Sequence, residues 1–134
     1  MANIPIGTRG QEKRLVTTEN AISFLDMEGA RVLSTPQMIS LMEWTCRNAV
    51  KPFLEEGYDT VGTHVNVAHL GAALIGTSVT FTAEVIAATE KRVTFKVEAN
   101  DEWGGKIGEG THERAIINIA RFASRLAERK AQAR

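Results

Sequence analysis

The chain has 134 residues, of which 43% are hydrophobic and 24% charged, and its formal net charge is zero. That is the composition of an ordinary globular domain, long enough to bury a core, and the neutral balance excludes the charge field of a nucleic-acid or membrane-surface binder. Cys46 is the single cysteine, which excludes an intrachain disulfide and a cysteine metal cluster.

The opening "MANIPIGTRGQEKRL" lacks the apolar run of a secretion signal, and no stretch reaches membrane-spanning length. The expectation is one cytoplasmic domain over residues 1–134. Residues 11–18, through "KRLVTT", read as a first strand. Residues 19–34, "ENAISFLDMEGARVLS", are mixed in character and read as a loop or lid. Then comes "LSTPQMISLMEWTCRNAV", with Thr35 suited to cap a helix, Pro36 to its first position, and Pro52 to its end. At about 100° per residue, Met38, Met42, Thr45, Cys46 and Ala49 share one face. Glu43 falls at the edge of that face, where a carboxylate costs on the order of several kcal/mol unless it is paired or its pKa shifts. An i,i+4 contact with Arg47 is the ordinary structural way to hold it.

In "VGTHVNVAHL", Val61, Thr63, Val65, Val67 and His69 alternate onto one side of a strand. "TSVTFTAEVIAATE" and "VTFKVEAN" read as two further strands. After the turn "DEWGGK" comes a last strand, "IGEGTHERAIINIARF", with Ile117 and Ile119 on one face and Ile116 on the other. A short, basic tail helix ends the chain. One early helix followed by four strands is an α+β layout, and a sheet curled around one long apolar helix fits the hotdog fold best. A small cystatin-like cone is the other arrangement of these elements, though it begins with more helix. A hotdog sheet has an outer strand to hide, and pairing with a second copy hides it.

Three polar positions stand on the core side: Glu43, His69 and Arg114. A lone histidine on an apolar face is more often a satisfied core residue than a catalyst, and Arg114 beside Glu113 is by default an exposed cross-strand charge. His64 and His112 receive no role, since three histidines without tight spacing do not make a metal site. Phosphate loops, dinucleotide fingerprints and G-x-S-x-G elbows are missing from the sequence.

"LMEW" on the helix, "VGT" and "VAH" on the next strand, and "GTHERAII" near the end resemble the fluoroacetyl-CoA thioesterase family of hotdog hydrolases. The resemblance runs from about Thr35 to Phe122, with a weaker start at "IGTR". It implies hydrolysis of a small or medium acyl-CoA without a cofactor. It also implies a catalytic set of Thr35, Glu43 and His69, with Gly62 and Arg114 contacting the acyl end. Thioester hydrolysis needs an activated nucleophile and donors for the developing oxyanion. A carboxylate can serve as base or direct nucleophile, and a histidine can move the proton that the leaving thiolate needs.

Thr35 and Glu43 are eight residues apart, roughly 12 Å along a helix, so joining them needs a bent approach, a water, or residues from two protomers, and the resemblance implies the last, a site at a homodimer interface. The family carries a longer, phenylalanine-bearing lid where this chain has only "DMEGARVLS" after Phe24, which implies a more open acyl pocket. A non-catalytic hotdog that binds acyl-CoA or another small ligand is the competing reading. It has no need of Thr35, Glu43 and His69 together. A hotdog hydratase would place its acidic residue and histidine in motifs absent from this sequence.

Overall fold

The structure is a computed structural model that describes residues 3–133. Its elements in order are β1 (Arg9–Leu15), α1 (Thr35–Val50), β2 (Tyr58–His69), β3 (Ser78–Ala88), β4 (Arg92–Asp101), β5 (Lys106–Asn118) and α2 (Ile119–Gln132). Short 3-10 turns lie at Glu28–Ala30 and Lys51–Phe53. All strand pairings are antiparallel, in the order β1-β3-β4-β5-β2.

Period-two alternation makes this sheet one-sided. Val79, Phe81, Ala83 and Val85 of β3, with Val93, Phe95, Val97 and Ala99 of β4, are buried together. Against them lie Met38, Met42, Thr45, Cys46 and Val50 of α1, nearly the face that helical periodicity picks out. Ala49 is the exception, only half-buried where β1 passes over the helix. There Gly10 admits the close approach, because a β-carbon on it would stand 2.6 Å from that of Ala49. Burial pushes the Cys46 thiol up to about 12, as a core cysteine requires.

Three boundaries differ from the sequence reading, each for a local reason. The first strand spans Arg9–Leu15, because pairing with β3 ends at Leu15↔Ser78. The cap of α1 is Ser34, whose hydroxyl accepts from the Gln37 amide at 3.2 Å, so Thr35 is the first helical residue and Pro36 the second. The last strand stops at Asn118, which caps α2 by accepting from the Arg121 amide at 3.0 Å. Ile119 therefore opens a helix and does not share a strand face with Ile117. Among the described residues, no helix is long and apolar enough to cross a membrane.

β2 and β1 are the two edges of the sheet. Residues 62–66 of β2 are all exposed, and Val65 keeps 42% of its surface open. The register of β2 on β5 slips between Gly62 and His64, leaving Thr63 as a bulge. Simple alternation puts Val61, Thr63, Val65, Val67 and His69 on one side, and the bulge corrects this. Thr60 and Gly62 precede the slip, Val65, Val67 and His69 follow it, and all five then face α1.

Candidate active site

The capping arrangement at the start of α1 releases the first candidate. Because Ser34 takes the helix amide, the Thr35 hydroxyl is free to meet the His69 ring, 2.7 Å from Nδ1. The other ring nitrogen, Nε2, is buried without a hydrogen-bond partner among the described residues. A buried nitrogen left unpaired costs free energy, and such atoms concentrate where a ligand or reacting group completes the bonding.

Two turns further along α1, Glu43 opens onto a cleft of about 380 Å³ whose walls include Ser40, Trp44, Asp59, Thr60 and Arg114. The pairing of Glu43 with Arg47 does not form. Arg47 turns to Asp59 instead, through Nη2 to Oδ2 at 2.6 Å and Nε to Oδ1 at 3.1 Å. Hydrogen bonding from Arg47 holds the Asp59 carboxyl below the usual carboxylate range. Glu43 is met by Arg114, whose Nη1 donates to Oε1 at 3.4 Å. The carboxylate side chain is 38% exposed and the guanidinium only 8%.

Arg114 is thus not the surface charge that its neighbour Glu113 suggests. Its Nε donates to Thr60 Oγ1 at 2.7 Å and its Nη2 to the Thr60 carbonyl at 2.8 Å. Burial lowers its affinity for the proton, and the Glu43 charge works against that loss. Opposite it, Gly62 is register-paired with Arg114, and the reason for a glycine is visible. A β-carbon there would stand 2.8 Å from Glu43 Oε1 and 3.2 Å from His112 Cε1.

His112 is the site residue that sequence reasoning left without a role. It is 2% exposed and stacks on Phe95 with ring centroids 6.3 Å apart. Its Nε2 lies 3.1 Å from Arg114 Nη1 and its Nδ1 2.8 Å from the His64 carbonyl. A guanidinium can only donate, so Nε2 must accept and Nδ1 carries the proton. His112 is therefore neutral and accepts from the same Arg114 nitrogen that donates to Glu43. The available signal was spacing: His112 and Arg114 lie two apart on one strand and so share a face.

Burial pushes the His112 pKa below the histidine norm. The unfolded chain then binds more protons, so this contribution to stability is complete above about pH 6.5 and is lost as pH falls below it. Replacing His112 with phenylalanine leaves the His64 carbonyl and one Arg114 donor unpaired, a loss of about 1–3 kcal/mol. Urea unfolding from pH 7 to 4 should show that loss at pH 7, together with a shallower acid slope in the variant. Equal slopes in the two proteins would exclude a buried, neutral His112.

The structure therefore joins Thr35 to His69, and Glu43 to Arg114 over Gly62. It does not bring the two groups together within one chain.

Comparison with known proteins shows the family of the chain. Residues 16–120 match the family described as FlK, fluoroacetyl-CoA-specific thioesterase. The chain belongs to that family. A fluoroacetyl-CoA thioesterase of Streptantibioticus cattleyicolor is 38% identical over 102 residues, covering 76% of this chain and 73% of the relative. A thioesterase superfamily member of Thermus thermophilus superposes with a TM-score of 0.87 at 32% identity, over 98% of this chain and 97% of the other. A single-residue variant of a fluoroacetyl-CoA-specific thioesterase, solved with fluoroacetate and CoA, gives a TM-score of 0.80 at 34% identity, over 89% and 99%. The α+β hotdog architecture, a five-stranded antiparallel sheet around one long helix, is the fold of these thioesterases.

Proposed function

We propose that the chain, as one hotdog domain over residues 1–134, hydrolyses a small or medium acyl-CoA thioester to the free acid and CoA. The observation that carries the reading is the placement of Glu43. One carboxylate oxygen is held by Arg114 in space that a side chain at position 62 would take, and the group faces an open cleft. Glu43 removes a proton from water as it attacks the thioester carbonyl, or attacks directly to give an anhydride that water then opens. The C–S bond breaks, and the CoA thiolate takes a proton from His69, which the Thr35 hydroxyl orients. Arg114 and Gly62 line the acyl end. No cofactor is required, and a reducing compartment such as the cytoplasm suits the buried Cys46 thiol.

The missing half of the set is supplied by a second copy. Gly62 and His69 are six strand steps apart once the bulge is discounted, roughly 20 Å, so one chain cannot close the constellation. β2 is a sheet edge, and an antiparallel self-pairing centred on Asn66 sets Gly62 opposite the partner's His69. Because the bulge turns both residues toward α1, this register also puts them on the same face.

The lid argues for an acyl group other than fluoroacetyl. Between Phe24 and Thr35 the chain carries only "LDMEGARVLS", with no second aromatic residue to close over a small acyl group. Contacts to one small substituent are worth about 1–3 kcal/mol, roughly 10–200-fold, so strong preference for fluorine over hydrogen needs a closed pocket. Thiol release from acetyl-, fluoroacetyl-, butyryl-, hexanoyl- and phenylacetyl-CoA tests both points. Turnover is expected, with at least one larger acyl-CoA exceeding fluoroacetyl-CoA in kcat/KM. No hydrolysis of any of them overturns the thioesterase reading. A thousandfold preference for fluoroacetyl-CoA overturns the argument from the lid.

A further inference from the structure

A second cleft, of about 610 Å³, lies at the far end of β2 and β5, between the start of α2 and the β3–β4 hairpin. Its walls carry Lys91, Arg92, Arg121 and Arg125, with the rings of Tyr58 and Phe122 among them. Arg92 is engaged by Glu113 at 2.7 Å. The side chains of Lys91, Arg121 and Arg125 make no hydrogen bond or ion pair with any described residue. Glu55 and Glu90 are the carboxylates of the cleft, so the cations outnumber them.

The placement of these cations runs against helix stability. Arg121 and Arg125 are one turn apart on α2, where like charges repel. The first turn of α2 holds no acidic residue, although the positive end of a helix favours one. Cations and the helix dipole therefore add at one spot, beside two aromatic faces. An anion attached to a flat ring neutralises the first and covers the second.

The position fits the substrate. Tyr58 pairs with Asn118 four residues along from the Gly62–Arg114 pair, roughly 13 Å by strand geometry. The pantetheine arm of CoA joins sulfur to pyrophosphate through about a dozen bonds, the reach of roughly four to five extended residues. Asp59, paired with Arg47 in the wall of the Glu43 cleft, is the next residue of β2 after Tyr58.

We propose that this groove binds the adenosine 3′,5′-bisphosphate end of the CoA thioester, with Arg121, Arg125 and Lys91 on the phosphates and Tyr58 and Phe122 beside the adenine. The inference rests on the acyl-CoA reading given above. It makes α2 the element that distinguishes a CoA thioester from the same acyl group on pantetheine alone.

The test compares butyryl-CoA with butyryl-pantetheine for wild type and for the double variant Arg121→Ala, Arg125→Ala. Both positions are exposed on α2, so the fold is not at stake. Wild type is expected to prefer the CoA thioester in kcat/KM, and the double variant to lose at least tenfold of that preference, mostly through KM. Adenosine 3′,5′-bisphosphate should compete with butyryl-CoA in wild type, while inorganic phosphate at equal concentration should not. A double variant that retains the full preference overturns the groove, as does a bisphosphate that competes no better than phosphate. Where wild type turns over neither thioester, equilibrium dialysis with adenosine 3′,5′-bisphosphate decides. Binding lost in the double variant upholds the groove while the hydrolase reading falls, and no binding to wild type removes both.

Discussion

Replacing Glu43 with glutamine is expected to remove nearly all thioesterase turnover while leaving the fold intact. The amide has almost the same volume, and its oxygen can still accept the Arg114 hydrogen bond that Oε1 accepts at 3.4 Å. What it cannot do is take a proton or attack a carbonyl. Loss of a general base costs about 10²–10⁴-fold in rate, and loss of a nucleophile can cost more. Stability should fall modestly, because the amide keeps the volume and the hydrogen bond while the buried Arg114 guanidinium loses its counter-charge. Thiol release and thermal unfolding on the same preparation separate the two effects. A variant that keeps more than half of wild-type turnover would return Glu43 to a structural role.

The sequence carried the fold because its periodicities are clean. β3 alternates from Val79 to Val85, before a bulge at Ile86, β4 alternates from Val93 to Ala99, and α1 has an apolar face that survives as the core. The site was legible only in part, and each gap has a physical cause. An i,i+4 spacing favours Glu43–Arg47, yet Asp59 on the neighbouring strand offers Arg47 two oxygens, and a bidentate carboxylate outcompetes a single helical neighbour. Alternation cannot register a bulge, so the face shared by Gly62 and His69 was hidden until the pairing with β5 was known. Ser34 and Thr35 are equally good caps by residue type. Only the geometry reveals that Ser34 takes the amide and leaves Thr35 for His69. Arg114 looked like a surface charge because nothing local announces Thr60 and His112, which lie on its own face of the sheet and satisfy it there.

Mixing two crippled variants is expected to restore activity. If Glu43 of one protomer works with the partner's Thr35 and His69, a dimer of one Glu43→Gln chain and one His69→Ala chain holds one intact site and one doubly damaged site. Random reassembly makes half of the dimers mixed, so roughly a quarter of wild-type turnover should return. Each variant alone should lie about 10²-fold or more below wild type, so the gain is large. Unfolding an equal mixture in urea and refolding it provides the exchange, with each variant refolded alone as the control. The separation of the two half-sites predicts this outcome: Thr35 bonds His69 and Glu43 bonds Arg114, with about 12 Å of helix between them. A mixture no more active than the mean of its parents would place the whole reaction within one chain. The structure would then have to bend α1 or carry the proton through water to connect Glu43 with His69. If activity does return, the edge of β2 is where the second copy docks, and lysine at Asn66, on the symmetry axis, should abolish both dimer and turnover by setting like charges face to face.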